Sequence, residues 1–370
     1  MKQTAIILLG LVSVIFVAKY SARLGEHGVI SGVLYVLLFV GVAFAAMYFD
    51  SRSNLIATSR YMMLTVGGLT ILSLVAVLVL PSGSRVGRLP AIEIWLSDLL
   101  AGAFPYHAPN LPSGFPVLFL LALPAYAVGN AGILEAAGIA LFGAALLKIE
   151  RNGTQNHWLP LLLLLLLPSV YYEILVRSEL FFNMALVLAL IIFTDECLAQ
   201  KETKWKLAGV AILFGLVLST RSVVGLAYVI YVLWRFRNDP LRGIGFTAIV
   251  VLTFLLTLAP FVLWNPALFF SNGPFSIQIG YLPLWIILLF LGTAAVAGFA
   301  VRGLREVIFA TGLLLFAMVL TAFLLRVAEA GLHSTLYMDR FDISYFVFCT
   351  PFLLFSLQPP GGNSIIALRT

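Results

Sequence analysis

Runs of about twenty apolar residues, separated by short polar breaks, recur along nearly the whole of this 370-residue chain. A helix of that length crosses a hydrocarbon core of about 30 Å. Backbone groups in lipid must be satisfied within the segment, so helices are the form such runs take. Apolar stretches fall at 4–18, 29–49, 61–80, 114–128, 131–147, 158–176, 180–194, 205–220, 222–235, 243–264, 282–301, 306–326 and 342–357. The expectation is an all-α, polytopic transmembrane helical bundle of about 11–13 spans, forming a single integral membrane domain over 1–370. The shorter runs, 114–128, 180–194 and 205–220, suit tilted, broken or re-entrant segments.

Composition agrees. Hydrophobic residues make up 62% of the chain and charged residues 10%, against about 45–50% and about 25% in soluble domains. That excludes a cytosolic enzyme or a disordered scaffold. The net charge of +6 does not indicate a nucleic-acid partner, because the Lys and Arg are spread over short loops, where they set topology. Cys197 and Cys349 have no paired spacing, and four scattered histidines give no zinc pattern. Lys2 before an apolar run is read as the start of a retained first helix.

Lys201, Lys204 and Lys206 share one connector, Arg235, Arg237 and Arg242 a second, and Arg302 and Arg305 a third. They alternate with the uncharged stretch 265–281, so the basic loops are expected in the cytoplasm. The segments 173–179, 265–281 and 327–341 and the turn at Arg221 then face the other side. The connector 81–113 shares that side only if one of the runs 114–128 and 131–147 fails to cross.

Charge inside such a chain is costly and marks candidate function. In 81–113, Pro90 begins a helix near 90–103, ending near Gly102. Glu93, Ser97 and Asp98 fall within an arc of about 140°, with Trp95 among the apolar residues opposite. The pattern suits an interfacial amphipathic helix with Trp95 at the headgroups. Its acids offer a general base or a divalent-metal ligand; a simple anchor with solvated acids is the plainer alternative. Pro105, Tyr106 and His107 follow as a turn. In 171–180, Glu173 and Arg177 stand i,i+4 and can pair, either closing a helix or presenting Arg177 to a phosphate with Glu173 or Glu179 holding it. Arg221 is a lone charge between apolar runs, suited to phosphate recognition or to snorkelling. Asp339, Arg340 and Asp342 precede the last run, with His333 and Tyr337 nearby. Glu135, near the start of the run 131–147, has no evident role. No Walker or dinucleotide glycine motif is present, so a sugar donor would arrive on a lipid carrier.

Three stretches carry a family resemblance. They are DLLAGAFPYHAPNLPSGFPVLFLLALPAYAVG (98–129), VRSELFFNMALVLALIIF (176–193) and LAGVAILFGLVLSTRSVVGLAYVIYVLWRFR (207–237); DRFDISYFVFCTPFLLF (339–355) is a weaker match. Over 62–357, with 1–60 as additional N-terminal spans, the chain resembles the GT-C superfamily of multi-span, lipid-linked-sugar glycosyltransferases, of mannosyltransferase-like type. The resemblance implies an external first long loop whose acid is the catalytic base, often with a divalent cation (Mg or Mn). It also implies transfer from a polyprenyl-phosphate sugar to a lipid, glycan or protein acceptor outside the cytoplasm. The chain departs from the pattern where the family's Asp usually sits, near Leu89 and Pro90. Glu93 or Asp98 then takes the role, or Asp50 from an earlier loop. The expected site is Glu93 and Asp98 for catalysis, Asp98 as metal ligand, and Arg177, Arg221, Arg340, Glu173, Tyr106 and His107 for substrate or phosphate. The expected location is the inner membrane of a prokaryotic cell, with membrane lipid and a membrane partner protein as candidate partners. A lipid-linked glycan transporter or flippase, and a non-catalytic relative, are the alternatives.

Overall fold

The computed structural model describes residues 1–52, 59–80, 88–107, 112–150, 158–199, 203–338 and 340–358. The described residues contain helices and no strand. In chain order these are α1 (Lys2–Ser21), a 3-10 turn (Ala22–His27), α2 (Gly28–Arg52), α3 (Ser59–Val79), α4 (Arg88–Leu100), α5 (Pro116–Ala127) and α6 (Ile133–Glu150). Next come α7 (Leu159–Leu166), α8 (Pro168–Val176), α9 (Leu180–Ala199), α10 (Lys204–Leu218), α11 (Val224–Arg235) and α12 (Pro240–Trp264). Then follow α13 (Pro266–Asn272), α14 (Pro274–Ile279), α15 (Leu284–Ala300), α16 (Leu304–Ala330) and α17 (Leu332–Tyr337). A 3-10 stretch (Ile343–Cys349) runs into α18 (Thr350–Phe355).

Six of these helices are long and apolar enough to cross a membrane singly: α1, α2, α3, α9, α12 and α16. Helices α7 and α8, bent by 60°, form a broken span or a re-entrant loop and bring the number to seven if the pair counts as one span. Their break follows from Pro168, which holds Leu167 extended at ψ 109°. Shorter apolar helices include α5, α11, α15 and the 343–355 segment. The protein is a multi-pass membrane protein. Val29, Leu37 and Phe44 of α2, Met63 and Leu72 of α3 and Leu252 and Leu256 of α12 are exposed. An outer surface this apolar faces lipid, not water.

Inside the bundle, glycines let backbones approach, as membrane helices require without a hydrophobic drive between them. A Cβ at Gly138 of α6 would lie 2.6 Å from Phe182 Cα of α9, and one at Gly298 of α15 would lie 3.0 Å from the Ile230 carbonyl of α11. Helix starts are capped locally. Asp239 Oδ1 accepts from the Arg242 amide at 3.3 Å, and Asn265 Oδ1 from the Leu268 amide at 3.1 Å, each followed by proline at the first helical position.

The bundle has two chemically distinct ends. At one, Arg235 donates to the Leu198 carbonyl, Arg237 to the Val301 carbonyl, Lys148 pairs with Glu196 at 2.6 Å and Arg305 donates to the Ser356 carbonyl. At the other, the turns after α8, α10 and α14 meet the chain at 342–345. Helix α5 begins and finishes at this second end. Its start is docked by Phe115 and Val117 amides on the Thr220 and Ser219 carbonyls, and past its finish Asn130 donates to the Val77 carbonyl at the end of α3. Twelve residues rise only about 18 Å, so α5 is the incomplete crossing, and α4 lies at the same end as Arg221.

Candidate functional site

Two turns bring the central pair together. The α8–α9 turn carries Glu179, and the α10–α11 turn carries Arg221. Both side chains are buried, and Arg221 Nη2 donates to Glu179 Oε1. Arg221 Nη1 also donates to Ser113 Oγ at 3.3 Å. The turn is held from beneath: Thr220 Oγ1 donates to Asn183 Oδ1 at 2.7 Å. A buried ion pair persists only when the groups around it recover its desolvation cost.

Arg88, at the first position of α4, ties this pair to the end of the chain. Its guanidinium donates to Asp342 Oδ2 at 2.6 Å, to Ser344 Oγ at 2.6 Å and to Ser178 Oγ at 3.3 Å. Its Nε lies 4.0 Å from Glu179 Oε1, and its plane covers the Tyr345 ring at 4.8 Å. Asp342 is further fixed by the Ser344 amide at 3.0 Å and hydroxyl at 2.5 Å. Burial pushes its carboxyl up, but Arg88 and the Ser344 bonds outweigh that and hold it below the usual range.

Arg221 also opens onto a cavity of about 270 Å³. One end is polar, lined by Arg221, Ser222, Gln278, Tyr281 and Tyr345; the remainder runs between Leu226 of α11, Ile287 and Leu291 of α15, and Met318 and Ala322 of α16. Gln278 Nε2 donates to the Ser113 carbonyl at 2.6 Å, Ser222 Oγ donates to Gln278 Oε1, and Tyr345 and Tyr281 hydroxyls meet at 3.3 Å. Arg221 Nε and Glu179 Oε2 are buried and have no hydrogen-bond partner among the described residues. Across Tyr281 lies a second, shallower hollow of about 480 Å³ with a mixed lining that includes Ser271, Ser276, Ile277, Arg326 and Arg340.

Two further acids lie deep at the same end. Glu135, in the first turn of α6, and Glu173, in α8, are both fully buried, and their four carboxyl oxygens have no hydrogen bond of good geometry among the described residues. The Phe182 backbone N–H faces Glu135, and the Ser178 hydroxyl faces Glu173. Both stand out in the sequence as acids within or beside apolar runs, Glu135 without an evident role.

Other expected site residues sit differently. Arg177 does not form the i,i+4 pair with Glu173. It terminates α8 in the left-handed region (φ 54°, ψ 45°), which turns its side chain off the helix face. Its Nη2 instead donates to the Val77 and Leu80 carbonyls at 2.7 and 2.6 Å, satisfying the end of α3. Glu93, half-buried on α4, faces Arg177; burial raises its carboxyl above the usual range and Arg177 opposes the rise. Asp98 lies 3.5 Å from His107 Nδ1, and the exposed His107 also meets the Phe104 carbonyl at 2.9 Å. Tyr106 is fully buried, edge-on to Trp95 and Phe269, with its hydroxyl on the Gly114 carbonyl at 3.3 Å; it anchors α4 and is closed off from any substrate. Trp95 is not at the headgroups. It is completely buried and stacks on Phe119 at 4.4 Å, because α5 covers the apolar face of α4. Arg340 is exposed at the second hollow.

The structure thus joins Arg221, Glu179, Arg88, Asp342 and Glu173, sets Glu93 against Arg177 outside the lining of the Arg221 cavity, and leaves Asp98, His107, Tyr106 and Arg340 apart. Asp50 and Asp339 lie outside the residues whose side chains are described. Arg88, Tyr281, Tyr345 and Gln278 were not singled out from sequence; Arg88 alone carried a signal, as a charge beside the helix-starting Pro90. Among the described residues no three His, Cys, Asp or Glu side chains form a metal site, and none of them brings a second carboxylate to Asp98, so this donor set does not fit a divalent cation. Comparisons with protein-family models, with curated proteins and with solved structures find no match.

Proposed function

We propose that the protein is a membrane glycosyltransferase of the GT-C type that takes a sugar from a polyprenyl-phosphate donor. The observation that carries this reading is the apolar cavity between α11, α15 and α16, which ends at Arg221, whose buried Nε has no hydrogen-bond partner among the described residues. An isoprenoid chain suits the apolar part. A phosphate suits the polar end, where Arg221 is backed by Ser222, Gln278 and Tyr281. The opposite end of the bundle carries the basic loops, which the positive-inside rule assigns to the cytoplasm; the site then faces outward, in keeping with the inner membrane of a prokaryotic cell.

In this reading the acceptor hydroxyl attacks the anomeric carbon and gives its proton to Glu93. The bond from that carbon to the phosphate oxygen breaks, and its electron pair leaves with the phosphate. Glu93 suits the base because burial strengthens it as a proton acceptor, whereas Glu179 and Asp342 are held by guanidinium groups. Arg221 stabilises the departing phosphate, and Glu179 positions Arg221. Because α4 carries both Arg88 and Glu93, one rigid helix links the base to the phosphate site.

The test is transfer from a labelled polyprenyl phosphohexose by the protein in nanodiscs, with membrane glycan extract as acceptor. Wild type is expected to transfer the label. Glu93→Gln and Arg221→Met are each expected to lose about 10²-fold or more. Full transfer by both variants contradicts the assignment. A transporter of lipid-linked glycans is the second reading, favoured by the buried acids Glu135 and Glu173, since intramembrane acids mark proton relays. It predicts movement of the lipid between leaflets with no covalent change.

A further inference from the structure

Among the described residues, two of the buried acids at this end of the bundle stand outside the ion pairs. Arg221 is matched by Glu179 and Arg88 by Asp342. Glu135 and Glu173 are left over, fully buried, with four oxygens lacking a partner of good geometry among the described residues. The groups facing them make the surplus worse. Glu135 is met by Glu173 and Glu179, and more weakly by Arg88. Glu173 is met by Arg88, Glu179 and Asp342, with Tyr172 of the same helix beside it. Of the cations around them, Lys19 of α1 acts on Asp342. Arg177 passes against Gly132, but its guanidinium is turned to the Val77 and Leu80 carbonyls. Two ionised carboxylates without partners are too costly to bury together, so the pair keeps at most one negative charge, which Arg88 faces.

We propose that Glu135 and Glu173 form a proton-binding site inside the membrane domain, and that this site takes up a proton when an anionic lipid phosphate binds at Arg221. The two events are linked through Glu179, which pairs with Arg221 and lies 4.0 Å from Arg88, the guanidinium that faces both acids. A phosphate at Arg221 competes with Glu179 for it. Glu179 then leans on Arg88, and less positive charge is left to offset Glu135 and Glu173. Their protonation relieves the excess. By reciprocity, protonation tightens phosphate binding by the same factor. A sodium ion is a less suitable occupant, because Arg88 faces the same acids.

The inference rests on the phosphate site proposed above, and its test separates the two. The probe is a short-chain polyprenyl phosphohexose, whose phosphodiester keeps one fixed charge near neutral pH. It is titrated calorimetrically into the full chain in nanodiscs, in two buffers of different ionisation heat. Wild type is expected to bind with a heat that depends on the buffer in the sense of proton uptake. Glu135→Gln/Glu173→Gln is expected to bind with the buffer dependence lost, since glutamine mimics the neutral acid in shape. Binding with equal heat in both buffers, or unchanged uptake in the double variant, overturns the proposal. Sodium-dependent binding at fixed pH also overturns it. If the probe does not bind at all, the phosphate site fails, and infrared spectroscopy reads the acids directly. A protonated-carboxyl band lost in the double variant then upholds the proton site, and no such band overturns it.

Discussion

Arg88 donates to Asp342 at 2.6 Å although the two residues stand 254 positions apart in the chain. This contact closes the end of the bundle. It fixes the start of α4 against the 3-10 stretch that carries Tyr345, and Tyr345 is at once the ring beneath Arg88 and a wall of the Arg221 cavity. The site's shape therefore depends on a bond between its two most distant segments.

The buried pair at the centre is expected to show strong coupling. Arg221→Met leaves Glu179 buried with Arg88 at 4.0 Å as its remaining ion-pair partner among the described residues, a loss of about 3–5 kcal/mol when one partner of a buried pair is removed. Arg221→Met/Glu179→Gln is expected to cost less than the sum of the single changes. Thermal unfolding in detergent across the double-mutant cycle measures this.

Arg177 shows how a terminal residue can serve a neighbouring helix. Arg177→Ala removes the bonds to the end of α3 and keeps the left-handed strain at φ 54°. Arg177→Gly removes the same bonds but relieves the strain. The glycine variant is expected to be more stable than the alanine variant by about 1 kcal/mol, a difference that unfolding midpoints in parallel will show.

Close packing of α6 sets where Glu135 lies. A Cβ at Gly138 would come 2.6 Å from the Phe182 Cα, and backbone cannot swing aside as a side chain can. Gly138→Ala is expected to cost about 1–3 kcal/mol and to reduce lipid-phosphate binding, read by melting and titration together.

Acid should act on Asp342 and Glu93 in opposite senses. The Asp342 carboxyl sits below its ordinary value of 3.8, so its contribution to stability is complete above 3.8 and is lost as pH falls through the lower, folded value. Glu93 sits above its ordinary 4.5, so the fold gains stability as pH falls through the raised value toward 4.5. Asp342→Asn is expected to flatten the stability curve below 3.8, and Glu93→Gln to flatten it above 4.5; melting temperature against pH resolves both windows.

Hydropathy and charge placement made the helical bundle and the gathering of connectors at one end legible in the sequence. Arg221 stood out because a lone guanidinium between apolar runs needs a partner, and Glu179 supplies it. The role of Arg88 was not legible, because its partners Asp342 and Ser344 come from the far end of the chain. Trp95 looked interfacial because its helix is amphipathic by pattern alone; only the docking of α5 shows that its apolar face is covered by protein. Glu173 and Arg177 have helical spacing, but the left-handed conformation of Arg177 breaks the helix between spacing and contact. Tyr106 carried a motif-like signal whose cause is packing against Trp95 and Phe269.

A lipid chain seated in the cavity that ends at Arg221, with its phosphate at the guanidinium, can be located by photo-crosslinking with a diazirine-bearing polyprenyl phosphate followed by peptide mapping. Adducts concentrated on α15 and α16 near Ile287, Leu291, Met318 and Ala322, and lost in Arg221→Met, are the predicted result. Labelling spread evenly over the lipid-facing surfaces of α2, α3 and α12, and unchanged in Arg221→Met, would contradict it.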